Sequence, residues 1–300
     1  MLSRKQKMVL LKMFSLFSVV RGYNILVIII AQYLASIYIF AYDKKLKEVL
    51  FDVNLLMLVL ASSATIASGY IINSFYDSEK DLINRPQKSM LDRLVSQNTK
   101  LSFYFGLNFL ALIFASYVSF RAVLFFGFYI LGIWLYSHRL KKTPITGTVI
   151  SALLTVTPFF AIFIYYRNFE TVVFMHAIFL FLLVTIKELT KDLENIKGDL
   201  ALDYRTIPVV YGERSSKMMF SFLCLITVIT GMALILWFDI GHMFYYFYGA
   251  IVLLVALVLL IWKSYRRAHY LWLHNILKFI IVSGVISILL IDVTVVLNRI

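Results

Sequence analysis

The sequence predicts an all-α protein that crosses a membrane nine times, with its helices around a central apolar cavity that has a polar cytoplasmic mouth. Three observations predict this class. The 300 residues are 61% apolar, with a mean hydropathy of +0.86, which is more apolar surface than a water-soluble domain buries. The apolar residues form long continuous runs, whereas a membrane β-barrel shows alternating segments of about 10 residues. Lysine and arginine concentrate in alternate connections between the runs.

Each apolar run is long enough to cross the ~30 Å hydrocarbon core as a helix, which takes about 20 residues. The nine spans are expected near residues 21–41, 52–75, 101–118, 121–137, 145–165, 170–190, 217–238, 242–262 and 274–297. Residues 1–20 mix basic and apolar side chains without a small-residue cleavage site, which indicates a cytoplasmic amphipathic lead-in rather than a signal peptide. We therefore expect a single transmembrane domain over residues 1–300.

The basic residues predict the orientation of the spans. Most of the 29 lysines and arginines fall in segments that a cytoplasmic N-terminus places on the inner side. The outer segments keep only Lys44, Lys45, Lys47, Arg121, Arg167 and Arg299. An odd number of spans then puts the C-terminus outside, and we expect a multi-pass protein of the inner (plasma) membrane. The net charge of +13 concentrates on the cytoplasmic face, where it favours anionic lipid head groups and phosphate ligands over nucleic acid.

The second span ends in the polar stretch NSFYDSEKDLINRP, residues 73–86. Asn73, Asp77 and Asp81, which we call the first acidic motif, recur every four residues. On a helix they share one face and lie about 6 Å apart along the axis. Because like charges placed in this way repel unless a cation lies among them, the spacing indicates a cation site at the cytoplasmic end of this span.

A second acidic motif, Asp192, Asn195 and Asp199, ends the sixth span with i, i+3 and i+7 spacing. These side chains also share one helical face, whereas Glu194 points elsewhere. The topology places both motifs on the same side of the membrane. Acidic residues at one helix end are often only solvated, but two such faces on one side favour a functional site. Carboxylate and amide oxygens, completed by water and phosphate, are the ligands that magnesium prefers.

Basic residues flank both motifs and are suited to neutralising a diphosphate, arginine bidentately and lysine as a point charge. They are Arg85, Lys88, Lys141, Lys142, Lys187, Lys191 and Arg205. No softer metal site competes, because the single cysteine, Cys224, lies within a span and the five histidines are scattered.

At these motifs the sequence resembles the UbiA superfamily of intramembrane prenyltransferases. The family's N-x-x-x-D-x-x-x-D motif is complete at residues 73–81 and is followed by N-R-P. Residues 191–199 are similar to its K-D-x-E-D-x-x-G-D motif, with Asn195 where the family usually has aspartate. The form of this second motif is closest to the geranylgeranylglyceryl phosphate, homogentisate and chlorophyll branch.

Three further segments resemble family signatures: RGYN at residues 21–24, YSHRLKKTPITG at 136–147 and YRTIPVVYGE at 204–213. The resemblance implies magnesium-dependent transfer of a polyprenyl group, such as geranylgeranyl, from its diphosphate to a lipophilic or anionic acceptor. That acceptor would be a geranylgeranylglyceryl phosphate or an aromatic ring. Beyond donor, acceptor and membrane lipids, no obligate protein partner is expected.

The resemblance also implies roles for individual residues. Catalysis would fall to Asp77, Asp81, Asp192 and Asp199. Magnesium would be held by these four carboxylates together with Asn73 and Asn195. The diphosphate would be bound by Arg21, Asn24, Arg85, Lys88, Tyr136, Lys141, Lys191 and Arg205. Segments 82–100 and 193–216 are expected to cap the mouth of the site and exclude water.

Two other functions are compatible with parts of this pattern. A terpene cyclase on the same scaffold would use the same metal site but quench the carbocation internally, without an acceptor. A cation transporter would also place acidic residues in spans, but transporters favour inverted repeats and spans broken by glycine or proline. Only Pro158 of the four prolines lies within a predicted span, and the two halves of the chain show no convincing repeat.

Overall fold

The computed structural model describes residues 4–294, and every regular element in that range is helical. The helices are α1 (Arg4–Val19), α2 (Gly22–Ala35, extended by a π-turn at Ser36–Phe40), α3 (Leu46–Leu50), α4 (Val53–Tyr76), α5 (Ser78–Asn84), α6 (Pro86–Asp92), α7 (Gln97–Val118), α8 (Phe120–His138), α9 (Pro144–Tyr166), α10 (Thr171–Ala201), α11 (Ile207–Trp237), α12 (Phe244–Trp262) and α13 (Arg267–Ser287). Nine helices within the described range are long and apolar enough to cross a membrane, which confirms the predicted class and number of spans.

Several helices extend beyond the predicted apolar spans, because polar residues continue them. The third helix starts at Gln97 rather than 101, since Ser96 caps it by accepting a hydrogen bond from the Thr99 N–H at 3.2 Å. The sixth helix continues to Ala201 instead of ending near 190. The C-terminal part of this helix is therefore the rigid support of the second acidic motif.

The last spans differ from prediction for the same reason. The seventh helix begins at Ile207 rather than 217 and is interrupted by non-helical backbone at Gly212, where φ is 81°. The ninth begins at Arg267 rather than 274, and its span ends at Leu290. The predicted end at 297 lies outside the described residues, as does the C-terminus. Asp292 consequently follows the span and accepts a hydrogen bond from the Thr294 N–H at 2.9 Å.

The helices group into two compact units. Unit 1 comprises the chain up to Ile29 together with Leu56–Leu140, and unit 2 comprises Ile30–Leu55 together with the chain from Lys141. Helices α2 and α4 each contribute residues to both units.

Within unit 1, α7 and α8 form a tight hairpin in which Ser119 is the only non-helical residue between them. Its hydroxyl oxygen caps α8 by accepting a hydrogen bond from the Ala122 N–H at 3.1 Å. Helix α1 is joined to α6, because the Ser15 hydroxyl donates to the Leu91 carbonyl at 2.7 Å. A buried cluster in this unit joins α1, α4 and α7 through Val19, Ile71, Ile72 and Tyr104. The predicted lead-in is thus a helix packed on its own unit.

Within unit 2, α10 packs against α9, α11 and α13. Its apolar part buries residues such as Leu183, Ile186 and Leu189, each at most 1% exposed. At the end of α9, Tyr165 donates a 2.8 Å hydrogen bond to Asp52, the residue that caps the start of α4. This packing makes α10 the central support of unit 2.

Candidate functional site

The first acidic motif lies in unit 1 where α4 gives way to α5. The N–H of Asp77 donates to the Asn73 carbonyl at 2.9 Å, and the N–H of Asp81 donates to the Asp77 carbonyl at 2.8 Å. These bonds continue the helical register, although Asp77 itself has φ −90° and ψ 4°. Its side chain is buried, and those of Asn73 and Asp81 are partly buried. The three oxygen-bearing side chains therefore share one face, whereas Glu79 is exposed.

Arg21 and Asn24 both contact Tyr70, which lies one turn before Asn73 on α4. The Asn24 amide donates to the Tyr70 hydroxyl oxygen at 3.1 Å, and the Arg21 guanidinium lies 4.9 Å from the centre of the Tyr70 ring. Sequence reasoning identified Arg21 and Asn24 but missed Tyr70, which precedes the motif by three residues and so belongs to its helical face. Unit 1 thus gathers a cation and an amide beside the first motif.

The remaining unit 1 candidates lie on three helices. Arg85 follows α5, and its N–H donates to the Asp81 carbonyl at 2.7 Å. Tyr136 lies on α8, with a partly buried side chain. Helices α4 and α8 approach closely at Gly69, where an added Cβ would lie 3.0 Å from Ile133. Lys88 falls on α6, but its side chain lies outside the described part of the structure.

The second acidic motif lies in unit 2 on the uninterrupted helix α10. Asp199 is completely buried, Asn195 is 5% exposed and Asp192 is partly buried. Because the helix is continuous, the i, i+3 and i+7 spacing places all three on one face, as the sequence indicates. A carboxylate taken out of water in this way requires hydrogen-bond donors or a cation beside it.

Two threonine hydroxyls supply donors to this motif. Thr148 on α9 donates to Asp192 Oδ2 at 3.3 Å, and Thr206 donates to Asp199 Oδ2 at 3.2 Å. Sequence reasoning missed both threonines as site residues. Thr206 belongs to the segment YRTIPVVYGE, which carries the family resemblance, so that segment was an available signal. Nothing in the local sequence indicated Thr148.

Lys141 and Arg205 are held in the same unit by the loop that follows α10. The Tyr204 N–H donates to the Asp199 carbonyl at 2.9 Å, and the Arg205 N–H donates to the Lys142 carbonyl at 3.0 Å. The ammonium groups of Lys141 and Lys142 lie 5.9 and 5.1 Å from the centre of the Tyr204 ring. The loop therefore brings these predicted diphosphate-binding residues next to Asp199.

Lys191, another predicted diphosphate-binding residue, has a carboxylate partner within α10. Its Nζ lies 2.8 Å from Glu188, whose other oxygen lies 3.0 Å from Lys187. The i, i+3 spacing of Glu188 and Lys191 was a visible sequence signal for this pair. Binding of a diphosphate by Lys191 would require its ammonium to serve both groups.

The donor atoms of the two motifs fit magnesium in their chemistry. Each motif offers carboxylate and amide oxygens, the hard ligands that magnesium selects, and magnesium usually takes one or two carboxylates with water and phosphate oxygens. In the described part of the chain, no three carboxylate, imidazole or thiol side chains are grouped as a ready-made metal site. Carboxylate and amide oxygens of this kind suit an ion that also takes water and phosphate oxygens.

Unit 2 also contains an apolar cavity of about 130 Å³. Its wall is rich in aromatic side chains, including Phe160, Phe163, Phe174, Tyr246 and Phe247. Leu183 on α10 contributes to the wall, nine residues before Asp192, which corresponds to about 14 Å along the helix axis. A cavity with this apolar lining suits a hydrocarbon ligand.

Comparison with protein-family models matches residues 29–278 to the UbiA prenyltransferase family. The chain is 35% identical over 153 residues to a digeranylgeranylglyceryl phosphate synthase of Thermococcus sibiricus, covering 50% of this chain and 54% of that protein. It is 28% identical over 212 residues to the synthase of Methanobrevibacter smithii, covering 67% of this chain and 70% of that protein. The chain thus spans only about half of the first relative's length.

Solved structures show the same fold. A digeranylgeranylglyceryl phosphate synthase structure aligns with a TM-score of 0.69 at 20% identity, covering 92% of this chain and 97% of that one. A UbiA homolog from Archaeoglobus fulgidus bound to GPP and Mg²⁺ aligns with a TM-score of 0.65 at 15% identity, covering 91% of this chain and 99% of that one.

Proposed function

The chain belongs to the UbiA prenyltransferase family, and from this premise we propose that it transfers a polyprenyl group, such as geranylgeranyl, from its diphosphate to a lipid acceptor. The acceptor that the relatives favour is a glyceryl ether phosphate with a free hydroxyl, because they are named digeranylgeranylglyceryl phosphate synthases. The observation that carries the proposal is the helical register of the two acidic motifs, which presents two faces of hard oxygen ligands. The protein is an integral membrane protein, and the loop charges support a cytoplasmic N-terminus and site.

The magnesium ligands in this proposal are the two acidic motifs. When bound, magnesium would neutralise the negative charge that develops on the leaving diphosphate. Asp192 and Asp199 supply the charged oxygens of unit 2, and the neutral amide of Asn195 supplies a weaker one. Thr148 and Thr206 keep those carboxylates oriented by donating to one oxygen of each.

The diphosphate would be bound by the basic and polar residues beside the motifs, in addition to the metal. In unit 1 these are Arg21, Asn24, Arg85, Lys88 and Tyr136, and in unit 2 they are Lys141, Lys191 and Arg205. Charge-assisted hydrogen bonds from arginine and lysine become stronger as the bridging oxygen gains charge, so they favour departure of the diphosphate. The segments 82–100 and 193–216 are proposed to cover the bound head group and exclude water.

The hydrocarbon chain would occupy apolar space such as the cavity of unit 2. Either the donor chain or the acceptor chain would fit there, since the product named for the relatives carries two isoprenoid chains. Relative to water, burying such a chain contributes about 0.8 kcal/mol per CH₂ group. Because the cavity wall is apolar, a cation formed on the donor would be kept away from bulk water.

The transfer breaks the bond between the first carbon of the prenyl chain and the diphosphate oxygen, and the bonding electrons remain on that oxygen. The acceptor hydroxyl oxygen then forms an ether bond to the same carbon, and its proton passes to the released diphosphate. With an aromatic acceptor, a ring carbon forms the bond and loses its proton instead.

Mass spectrometry of the purified protein in lipid nanodiscs tests this proposal. The protein is incubated with magnesium and geranylgeranyl diphosphate, together with geranylgeranylglyceryl phosphate, with homogentisate or with no acceptor. We expect an ether product with the glyceryl phosphate and no product after chelation by EDTA. A hydrocarbon product from donor alone would identify a cyclase, and absence of any prenylated product would refute the proposal.

A further inference from the structure

Glu194 lies within the second acidic motif but points away from its ligand face. It follows Asp192 by two residues, a rotation of about 200° around the helix. The side chain of Glu194 is 0% exposed, so this carboxylate is held inside the packed protein. Its position in the sequence motif and its burial behind the ligand face together call for a role other than binding the metal or the diphosphate.

Two side chains of α13 bind this carboxylate. Arg267 donates to Glu194 Oε1 at 3.3 Å, and His274 Nδ1 lies 2.9 Å from Glu194 Oε2. His274 is itself almost completely buried, at 4% side-chain exposure. The two partners are seven residues apart on α13, about two helical turns. The two carboxylate oxygens are thus bound at two positions on α13 that lie about two helical turns apart.

An attachment at two points restricts rotation as well as separation. Apolar contacts between α10 and α13 are non-directional, so they hold the helices together without selecting one rotation of α10. Hydrogen bonds to a buried carboxylate are directional, and leaving either oxygen without its donor is strongly unfavourable. Rotation of α10 away from the observed position would break these bonds and would turn the second acidic motif by the same angle.

We propose that Glu194 is a positioning residue, which fixes the rotation of α10 through Arg267 and His274 and so aims the second acidic motif at its cation. This inference rests on the magnesium role given to that motif in the proposed function. The orientation of Asp192 and Asp199 matters because Asn195 brings no charge, so these two carboxylates are the only charged ligands that this motif offers to the ion. Removal of residues that orient metal ligands typically lowers metal affinity or activity by about 10–100-fold.

Manganese binding provides a test that is independent of turnover. Mn²⁺ affinity is measured by electron paramagnetic resonance on the full-length protein in nanodiscs, with inorganic pyrophosphate present. We expect Glu194→Ala to weaken Mn²⁺ binding by about tenfold or more. Glu194→Gln, which keeps the shape and one acceptor oxygen, should weaken it less.

The control is Asp52→Asn, a carboxylate-to-amide change of the same kind as Glu194→Gln. Asp52 also lies in unit 2 and is partly buried, and it accepts a hydrogen bond from Tyr165 on α9 at 2.8 Å. It lies outside both acidic motifs and outside the segments proposed to cover the head group. A general loss of packing would change Mn²⁺ affinity in both variants, whereas a positioning role changes it only at Glu194. We expect the Mn²⁺ affinity of Asp52→Asn to equal that of the wild type.

A second pair of variants keeps the inference testable if Glu194→Ala does not fold. His274→Asn retains an N–H donor near Nδ1, and His274→Leu removes it at similar volume. We expect wild-type Mn²⁺ affinity from the asparagine variant and about tenfold weaker binding from the leucine variant. Unchanged Mn²⁺ affinity in Glu194→Gln and His274→Leu would overturn the inference, as would an equal loss of Mn²⁺ affinity in the Asp52→Asn control.

The outcome also separates this inference from the proposed function. Wild-type protein that binds Mn²⁺ with pyrophosphate but forms no prenylated product would refute the transferase and leave the positioning role supported by the affinities. Wild-type protein that does not bind Mn²⁺ would overturn the positioning role, whatever product is formed.

Discussion

The two acidic motifs are held in different ways. The first lies at a junction between two helices, where Asp77 departs from ideal helical backbone, and its other members, Asn73 and Asp81, are only partly buried. The second lies within a continuous 31-residue helix, with Asp199 completely buried. The hydroxyl groups of Thr148 and Thr206, which both lie outside this helix, donate to its carboxylates, and Glu194 attaches the reverse side of the helix to α13.

The difference predicts which changes each motif tolerates. A buried carboxylate has a narrow set of partners in a medium of low dielectric constant, so the loss of one hydrogen bond is costly. A partly buried carboxylate exchanges a lost partner for water. Single-atom changes should therefore affect the second motif more than the first, whereas both motifs should be sensitive to loss of a ligand oxygen.

The largest expected effect is the loss of a charged ligand. Asp199→Asn and Asp77→Asn should each lower kcat/KM for prenyl transfer by about 100- to 1000-fold, the range found for removal of one group that stabilises developing charge. Product formation is measured by mass spectrometry at saturating magnesium. The control is Asp239→Asn, an exposed residue that accepts a hydrogen bond from the Gly241 N–H at 3.2 Å, which asparagine also accepts. Wild-type activity in Asp199→Asn would show that the buried motif is structural.

A smaller effect is expected when a hydroxyl is removed without a change of shape. Thr206→Val deletes the donor to Asp199, a hydrogen bond to a charged group worth about 1.5–3 kcal/mol. We expect kcat/KM to fall at least tenfold, since each 1.4 kcal/mol is a factor of about ten. Thr148→Val, beside the partly buried Asp192, should have a weaker effect. Equal losses of kcat/KM in the two variants would contradict the expectation that burial of the carboxylate makes its hydrogen bond more important.

Adding a carboxylate to the second motif should raise its affinity for magnesium. Asn195→Asp introduces the aspartate that the family usually has at this position. The substitution adds a negative charge to the ligand face. We expect the magnesium concentration for half-maximal activity to fall about three- to tenfold, which corresponds to about 0.7–1.4 kcal/mol of metal binding. Titration of activity against magnesium measures this. A higher magnesium requirement would show that desolvation of the new carboxylate outweighs its attraction for the ion.

The smallest effect is expected beside the first motif. Tyr70→Phe removes the acceptor of the Asn24 hydrogen bond, a neutral pair worth about 0.5–1.5 kcal/mol, but keeps the ring that contacts Arg21. We expect the KM for the prenyl diphosphate to rise about two- to fivefold with little change in kcat. Tyr70→Leu, which also removes the ring, should raise KM further. If Tyr70→Phe lowers kcat/KM as much as Thr206→Val does, the two motifs do not differ in their sensitivity to the loss of one hydrogen bond.

The number of spans could be predicted from the sequence because each span is an uninterrupted apolar run, and hydrophobic length is a local property. The limits of the helices could not be predicted where tertiary contacts stabilise polar residues beyond the apolar run. His274 begins the predicted ninth span but lies two turns inside the helix, since Glu194 provides its partner. Lys191 shows the reverse case, because its partner Glu188 was visible at i, i+3 spacing.

The amino-acid sequence by itself determined the membrane class, the number of membrane spans and the helical face on which each acidic motif lies, because these depend on composition and on the 3.6-residue period. Only the tertiary structure decided which side chains orient those motifs. Thr148 and Asp192 are 44 residues apart, and Glu194 and His274 are 80 residues apart. Such pairs leave no local periodicity, because their contact arises from packing of separate helices and not from the spacing along either one.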